Sequence, residues 1–329
     1  MALRTLAAQK IKAIGLGCMN LSHAYGQPPA EPQATRLLLQ AIDLGVDHFD
    51  TAALYGFGHN EKLVGKVLKP FRQQIFLASK CGMTGVDGKR VIDGRPQTLR
   101  ATVEQSLQNL QTDVIDLYYL HRWDKSVPIE DSVGELARML DEGKIKAIGL
   151  SEVSAPTLQK AHLVHPIAAV QSEYSLWSRN PEIAVLKACQ ELDTAFVAFS
   201  PLGRGFLSGE VKDVTSLVDG DIRKGMPRFQ ITQAAKNHQL LSLLRKLSLE
   251  LECSMAQLSL AWLLQQGEHI IPIPGTTQLV HLQDNMHSTK VQLNQQQLLE
   301  LNNTFAPQNI SGPRYPEATQ HEIDTEEFC

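Results

Sequence analysis

Residues 114–151 read VIDLYYLHRWDKSVPIEDSVGELARMLDEGKIKAIGLS, and this stretch holds the pattern that decides the fold. It opens on a run of β-forming residues that ends at His121, and it closes on a second run over 145–151. Between the runs, apolar residues recur at helical spacing from Ile129 to Leu140, and Gly143 follows as a helix stop. A strand, a helix and a strand in this order predict two parallel strands joined by a crossover helix.

The same alternation continues along the whole chain. Short β-like runs recur, each followed by a helix-period segment or a long loop, and they lie at 14–19, 46–50, 75–80, 114–121, 145–151, 167–171, 195–200 and 270–274. Eight such units close most simply as a (β/α)8 TIM barrel. A doubly wound sheet is the alternative, but its first strand usually leads into a Gly-x-Gly-x-x-Gly turn, which residues 15–20 do not complete.

The length of 329 residues fits one barrel domain over 1–329, without a linker. Residues 1–12 precede the first run and are predicted to form a β-hairpin that plugs the N-terminal end of the barrel. The segments 201–233 and 306–329 are rich in Gly, Pro and charge, and we expect long loops there. Asn294 and Gln297 form a capping-box pattern that predicts one more helix near the C-terminus.

Composition narrows the possible partners. The formal net charge is −4 and no basic stripe occurs, which argues against nucleic acid as a partner. No apolar run reaches the length of a signal peptide or a membrane span, so a cytoplasmic protein without a membrane partner is expected. The 5 cysteines include no Cys-x-x-Cys pair, so neither a disulfide framework nor a thiolate metal site is predicted.

Four polar residues form the strongest candidate site. Asp50, Lys80 and His121 each close a β-like run, and Tyr55 lies in the loop just after Asp50. Ionisable groups are costly at the end of an apolar strand unless they find partners or do chemistry, and barrel enzymes place their chemistry at this end. These residues are therefore predicted to form an active site.

Together these residues permit the reduction of a carbonyl group. Negative charge develops on the carbonyl oxygen as hydride reaches the carbon, so a proton donor must lie beside that oxygen. Tyr55 is predicted to be this acid, with Lys80 lowering its pKa and Asp50 keeping the lysine charged. His121 would orient the carbonyl through a hydrogen bond, and a cofactor would supply the hydride.

Other interpretations stay open for the same residues. An Asp–Lys pair is often structural, a lone histidine is often a satisfied polar residue, and a loop tyrosine often only packs. A metal-dependent hydrolase is a further alternative, because His48 and Asp50 share one strand face and His59 and Glu61 follow. No His-x-His motif accompanies them, so no metal site is predicted.

The chain resembles the aldo-keto reductase family over nearly its whole length. The resemblance rests on motifs at 15–17, 50–56, 60–61, 80, 115–121, 149–151, 171–175, 200–205 and 273–276. It implies a catalytic tetrad of Asp50, Tyr55, Lys80 and His121 that reduces aldehydes or ketones. Residues 171–177 and 314–317 further resemble the microbial and plant branch that includes auxin-induced-protein-like reductases. Potassium-channel β subunits resemble the same family, so a nucleotide-binding regulatory or redox-sensing subunit with slow turnover is the alternative function.

The resemblance also implies a nicotinamide dinucleotide across the barrel mouth. Ser151 and Gln171 would hold the carboxamide, Tyr174 would stack on the nicotinamide, and the glycines of 201–205 would let backbone N–H groups approach the pyrophosphate. The predicted cofactor residues are Ser151, Gln171, Tyr174, Ser200, Pro201, Leu202, Gly203, Arg204, Gly205, Pro274, Gly275, Thr276, Gln278, His281 and Asn285. Glu152 stands where many relatives have Asn, and it is left out of this set.

The choice between NADPH and NADH depends on the end of the site that would receive the adenosine. Relatives that prefer NADPH usually place basic residues after the eighth strand, whereas this chain has Thr276, Gln278 and His281 there. A neutral imidazole is a poorer phosphate ligand than Arg. NADPH is still expected, with NADH possible, partly because Arg204 could compensate.

The substrate is expected to be a small carbonyl compound. Met19, Met83, Trp123 and Trp177 lie in or near strand-end loops and are candidates for an apolar pocket, although each is equally compatible with an ordinary core position. The physiological substrate, the reaction direction and the oligomeric state do not follow from these residues.

Overall fold

The computed structural model describes residues 2–86 and 88–328. The strands in this part of the chain are β1 (Leu3–Leu6), β2 (Gln9–Lys12), β3 (Leu16–Gly17), β4 (His48–Asp50), β5 (Phe76–Cys81), β6 (Met83–Val86), β7 (Lys89–Ile92), β8 (Leu117–Leu120), β9 (Ile148–Ser151), β10 (Ala169–Glu173), β11 (Ala195–Phe199) and β12 (Ile270–Pro272).

The helices surround these strands. They are α1 (Glu31–Asp43), α2 (His59–Leu68), α3 (Pro96–Leu110), α4 (Ile129–Asp141), α5 (Ala155–Val164), α6 (Val185–Glu191), α7 (Ile231–His238), α8 (Leu241–Glu250), α9 (Met255–Leu264), α10 (Leu279–His287), α11 (Gln295–Thr304) and α12 (Glu317–Gln320). The predicted capping box is present, because the Asn294 side chain accepts from the backbone N–H of Gln297 and the Gln297 side chain accepts from that of Asn294.

Eight of the strands form one parallel sheet in the order β3, β4, β5, β8, β9, β10, β11, β12. The first and last strands also meet, since Gly15 N donates to Pro272 O at 3.0 Å and Gly17 N donates to Pro274 O at 3.4 Å. The sheet therefore closes on itself, and the predicted (β/α)8 barrel is confirmed.

The predicted hairpin lies at the bottom of this barrel. β1 and β2 pair antiparallel, and Leu6 and Ile11 are buried among inward-facing strand residues such as Phe76 and Ile271. Apolar burial against the strand interior holds the hairpin there. A second hairpin, β6 with β7, follows β5 and was not predicted.

Alternation along the strands decides which side chains face the barrel interior. Leu117 and Tyr119 belong to the inner core, whereas Tyr118 and Leu120 pack outward against the helices. In β5 the inner positions Phe76 and Ala78 continue to Lys80. Because Leu117 and Tyr119 face the barrel interior, the same period of two places the side chain at position 121 on the interior face as well. Thus the sequence alternation sends a lysine and a histidine to the top of the barrel interior.

The long loop predicted over 201–233 is present, whereas the segment 306–329 also contains the short helix α12. Between β11 and α7 the chain forms only short 3-10 turns, and Ile222 N donates to Ala24 O across the barrel mouth at 2.8 Å. No helix within 2–86 and 88–328 is long and apolar enough to cross a membrane.

Candidate active site

Asp50, Tyr55, Lys80 and His121 meet at the top of the barrel. The Lys80 ammonium is buried and forms an ion pair with Asp50, and it also donates to Thr51 O at 2.7 Å. The Tyr55 hydroxyl lies 3.3 Å from Lys80 Nζ. The ring of His121 lies edge-on to that of Tyr55, with 5.8 Å between the centroids. The structure thus brings the predicted tetrad together.

Lys80 is held in its charged form by its neighbours. Burial lowers the pKa of the ammonium, but the charge of Asp50 and the nearby Tyr55 outweigh burial, so the pKa of Lys80 is raised. The second Asp50 oxygen accepts from Gln171 Nε2 at 2.8 Å. Asp50 therefore compensates a cation that burial alone would discharge.

The pKa of Tyr55 differs from the sequence-based prediction. Burial raises it, Lys80 acts in the opposite direction, and burial prevails. Tyr55 is therefore a protonated phenol at neutral pH, as a proton donor must be. The ammonium stabilises the phenolate only as it forms.

His121 is neutral in this environment. Burial first, and then the nearby cations Arg122 and Lys80, hold the pKa of the imidazole well below its usual value. Its Nδ1 is buried without a hydrogen-bond partner among the described residues. A neutral ring that carries one N–H is suited to orient a carbonyl oxygen.

The tetrad opens into a cavity of about 830 Å³. We call the part lined by Asp50, Tyr55, His121, Ser151 and Gln171 the catalytic end, and the part lined by Thr276, Thr277, His281, Asp284 and Asn285 the far end. Further predicted cofactor residues also line the cavity, namely Ser200, Pro201, Leu202, Arg204, Gly205, Pro274 and Gly275.

Three predicted cofactor residues do not line it. Gly203 and Gln278 each lie next in sequence to a residue that lines the cavity. Tyr174 is buried between the sheet and the helices. The Tyr174 ring packs edge-on against Phe196 and Trp262, and its hydroxyl donates to Glu182 at 2.8 Å. The predicted stacking of Tyr174 on a nicotinamide does not fit this position.

Phe199 is an aromatic residue that the sequence analysis missed. It is the last residue of β11, it is only partly buried, and it lines the cavity beside Ser200 and Pro201. An aromatic residue directly before the Ser-Pro-Leu-Gly segment was the available signal. Phe199 is therefore the better candidate for a stacking platform.

Ser151 and Gln171 are oriented by their neighbours. Arg122 Nη1 donates to the Ser151 hydroxyl oxygen at 3.2 Å, which leaves the hydroxyl proton free to donate. The Gln171 amide nitrogen is engaged by Asp50, which leaves the amide oxygen free to accept. One donor and one acceptor match the two polar atoms of a carboxamide.

Arg204 does not fit the role of a compensating phosphate ligand. Its guanidinium donates to Glu173 at 2.8 Å and to the Tyr315 hydroxyl at 3.0 Å, and both side chains of the ion pair are buried. Binding a phosphate would require this arginine to leave a buried carboxylate without a partner, which is costly. The expectation of NADPH therefore loses the support of Arg204.

The C-terminal segment is tied to the catalytic end by a second buried ion pair. Glu152 directly follows Ser151 with φ +57°, and its carboxylate pairs with Arg314, whose Nη1 lies 3.1 Å from Oε1. Glu152 O also accepts from Asp324 N at 2.9 Å. Glu152 thus pairs with Arg314 and does not line the cavity.

The predicted apolar pocket is present in part. Met19 and Met83 line the cavity. Trp177 instead stacks on Phe206 with 3.9 Å between ring centroids, and Trp123 Nε1 donates to Val127 O at 2.9 Å. The two tryptophans are therefore packing residues.

The residues of the metal alternative are dispersed. His48 is enclosed in the barrel interior edge-on to Phe76, and Glu61 accepts from Ser79 at 2.7 Å. Within the described ranges, no three His, Cys, Asp or Glu side chains are grouped so that they could hold a metal ion.

Comparison with known sequences agrees with this geometry. A family model described as the Aldo/keto reductase family matches residues 13–304. The Glycine max protein named "Probable aldo-keto reductase 1" is 41% identical over 315 residues, which are 95% of this chain and 90% of that protein.

Solved structures are similar over nearly the full length. A glycerol dehydrogenase from Gluconobacter oxydans is 27% identical with a TM-score of 0.86, and the match covers 96% of this chain and 99% of that one. An aldo-keto reductase from Bacillus halodurans, in its holo form, is 27% identical with a TM-score of 0.77 and the same coverage of both chains. The chain therefore belongs to the aldo/keto reductase family of oxidoreductases.

Proposed function

We propose that this protein reduces aldehydes or ketones to alcohols, with a nicotinamide dinucleotide as the hydride donor. The observation that carries the proposal is the single network in which Lys80 contacts both Asp50 and the Tyr55 hydroxyl at the wall of one large cavity. An ion pair that served stability alone would not need a phenol within reach of the same ammonium.

The cavity has the groups that such a cofactor requires. Ser151 and Gln171 present a free donor and a free acceptor for the carboxamide, and Phe199 presents a ring for the nicotinamide. Residues 200–202, 204 and 205 line the cavity, and Gly205 takes a positive φ of +89° there. When bound, the dinucleotide would supply the hydride that the side chains cannot supply.

The residues of the tetrad would divide the remaining work. His121 would donate a hydrogen bond to the carbonyl oxygen and fix its position. Tyr55 would transfer its proton to that oxygen as negative charge develops on it, and Lys80 would stabilise the phenolate left behind. Asp50 would keep Lys80 protonated throughout, and bulk water would return the proton to Tyr55.

The test is a screen of the purified protein against a panel of aldehydes and ketones with NADPH and with NADH, following the absorbance of the reduced nicotinamide. The absorbance is expected to fall with at least one class of carbonyl compound. In Tyr55→Phe the absorbance is expected to stay constant. Tight nucleotide binding without turnover across the panel would instead favour the regulatory subunit.

A further inference from the structure

We infer that Arg122 binds an anionic group of the substrate, so that the carbonyl compounds this protein reduces best carry a carboxylate. The inference rests on the proposed function and names the substrate class of the same site. It is carried by a guanidinium at the catalytic end that has no carboxylate partner among the described residues.

Arg122 directly follows His121 and lines the cavity. Its Nη1 donates to His121 O at 2.6 Å and to the Ser151 hydroxyl oxygen at 3.2 Å, and both acceptors are neutral. The guanidinium is thus fixed next to the residue proposed to orient the carbonyl and next to the residue proposed to hold the carboxamide. A group bound to Arg122 would therefore lie at the catalytic end of the cavity.

The other edge of the same guanidinium has no acceptor. Within 2–86 and 88–328, Arg122 Nε is buried without a hydrogen-bond partner, and Nη2 donates to no residue. Nε and Nη2 form an edge that can bind a carboxylate through two parallel hydrogen bonds. The chain uses this edge elsewhere, since Arg223 Nε donates to Asp221 Oδ1 at 2.9 Å and Nη2 donates to Oδ2 at 2.6 Å. A carboxylate bound in the same way would give the buried Nε of Arg122 the partner that it lacks.

The other arginines that line the cavity are each paired with a carboxylate. Arg90 pairs with Glu322, Arg204 with Glu173 and Arg223 with Asp221. Arg122 forms no ion pair in the part of the chain that the structure describes. The charge of Arg122 is therefore left for a ligand.

The electrostatics around His121 support this inference. Burial lowers the pKa of the imidazole first, and the positive charges of Arg122, Lys80 and Arg90 lower it further. Asp50 compensates Lys80 by direct contact, whereas Arg122 keeps its full charge. The surroundings of His121 are thus electropositive, and such a region attracts an anionic substrate.

A purely structural role for Arg122 is the alternative. The two bonds from Nη1 hold Ser151 and the backbone of His121, but a neutral amide could donate to the same oxygens. A half-buried guanidinium loses part of its hydration, and an anion compensates that loss better than neutral oxygens do. The structural role alone therefore does not explain why this position carries a charge.

The experiment compares three carbonyl acids with their methyl esters, with the same nucleotide throughout. Pyruvate, succinic semialdehyde and 4-carboxybenzaldehyde are suitable, because the distance between carbonyl and carboxylate differs among them. We expect kcat/KM to favour the acid about 10-fold or more in at least one pair, chiefly through a lower KM. Added salt should reduce this preference, because it screens the attraction between the two charges.

Substitution of Arg122 then assigns the preference to this residue. Arg122→Met should lower kcat/KM for the favoured acid about 10- to 100-fold more than for its ester. Arg122→Lys keeps the charge without the forked edge, so its loss should be intermediate. A weaker hold on Ser151 affects acid and ester alike and cancels from their ratio. Arg36→Met, at an exposed position of α1, is the matched control and should leave the ratio unchanged.

If the parent protein favours no acid over its ester, the inference is overturned and the proposed reduction stands, whether or not the variants fold. Equal losses for acid and ester in Arg122→Met would also overturn the inference, since Arg122 would then act only through Ser151. Failure of acids, esters and other carbonyl compounds alike to be reduced would instead overturn the proposed function itself.

Discussion

The two ends of the cavity differ in the burial and pairing of their charged groups. At the catalytic end the charged groups other than Arg122 are buried and paired, as in Lys80 with Asp50 and, behind Ser151, Arg314 with Glu152. At the far end His281 is exposed, Asp284 is half-exposed, and neither has a charged partner among the described residues. Substitutions at the catalytic end should therefore alter rate and stability, and those at the far end should alter only the choice of nucleotide.

The burial of charge explains this division. A buried ion pair stabilises little compared with apolar packing, but removal of one partner leaves an uncompensated charge. Exposed charges are screened by water and salt, so their loss is tolerated by the fold. Chemistry that needs a fixed ammonium beside a phenol requires a buried ion pair. Discrimination between two nucleotides requires only a small difference in their binding free energies.

The largest effect should come from Tyr55→Phe. This change removes the proposed acid, and we expect kcat for carbonyl reduction to fall about 10²–10⁴-fold. The affinity for the nicotinamide dinucleotide should stay nearly unchanged, because Tyr55 is not among the proposed nucleotide ligands. Steady-state kinetics together with calorimetric titration measure both values. Substantial residual turnover would contradict the role of Tyr55 as the proton donor.

Arg314→Met should destabilise the fold, because Arg314 forms a buried ion pair next to the catalytic end. It leaves the buried carboxylate of Glu152 without its partner, and the expected loss in the free energy of unfolding is about 3–5 kcal/mol. Lys66→Met is the matched control, because its pair with Glu31 is exposed and its loss should change the free energy of unfolding little. Urea denaturation monitored by fluorescence gives both values, and equal losses would show that burial does not set the contribution of these pairs.

Acid should destabilise the interior beneath the catalytic end. Burial lowers the pKa of His48 to about 4, whereas an unfolded histidine titrates near about 6.5. As the pH falls through about 6.5, the unfolded chain takes up a proton that the native His48 does not, so stability decreases until about pH 4. His48→Gln should recover about 1–3 kcal/mol of this loss.

The control for this pH dependence lies at the far end. His281→Gln makes the same substitution at an exposed site, so it controls for the change of residue type. Urea denaturation at about pH 7 and about pH 5 compares the two variants with the parent. If both substitutions reduce the pH dependence of the free energy of unfolding equally, burial of His48 is not the cause of that dependence.

Much of the catalytic end could be predicted because it follows from local alternation. Positions 76, 78 and 80 share one strand face, so a lysine at the end of an apolar run had to lie at the top of the barrel interior. The same reasoning placed Asp50 and His121. Their residue types then limited the chemistry, because a phenol, an ammonium, a carboxylate and an imidazole complement one another.

The remaining positions depend on contacts that sequence spacing does not reveal. Tyr174 packs against Trp262, and Arg204 bonds Tyr315, in each case across many intervening residues. The direction of the Tyr55 pKa was mispredicted for a similar reason, since the extent of burial is a property of the whole barrel mouth. The hairpin of β6 and β7 is a different case, because the sequence has Asp-Gly at positions 87–88 between its two strands, and this available turn signal was not used.

The smallest effect should come from His281→Arg at the far end. The new guanidinium would place a charge-assisted donor where a 2′-phosphate would lie, so NADPH should bind about 3- to 10-fold more tightly while NADH changes little. His281→Gln, which adds no charge, is the matched control for the loss of the imidazole. Calorimetric titration of both nucleotides gives the ratio of the two constants, and the free energy of unfolding should stay within about 0.5 kcal/mol of the parent because the site is exposed. An equal change for both nucleotides would mean that this side chain does not face the 2′ position of the bound nucleotide.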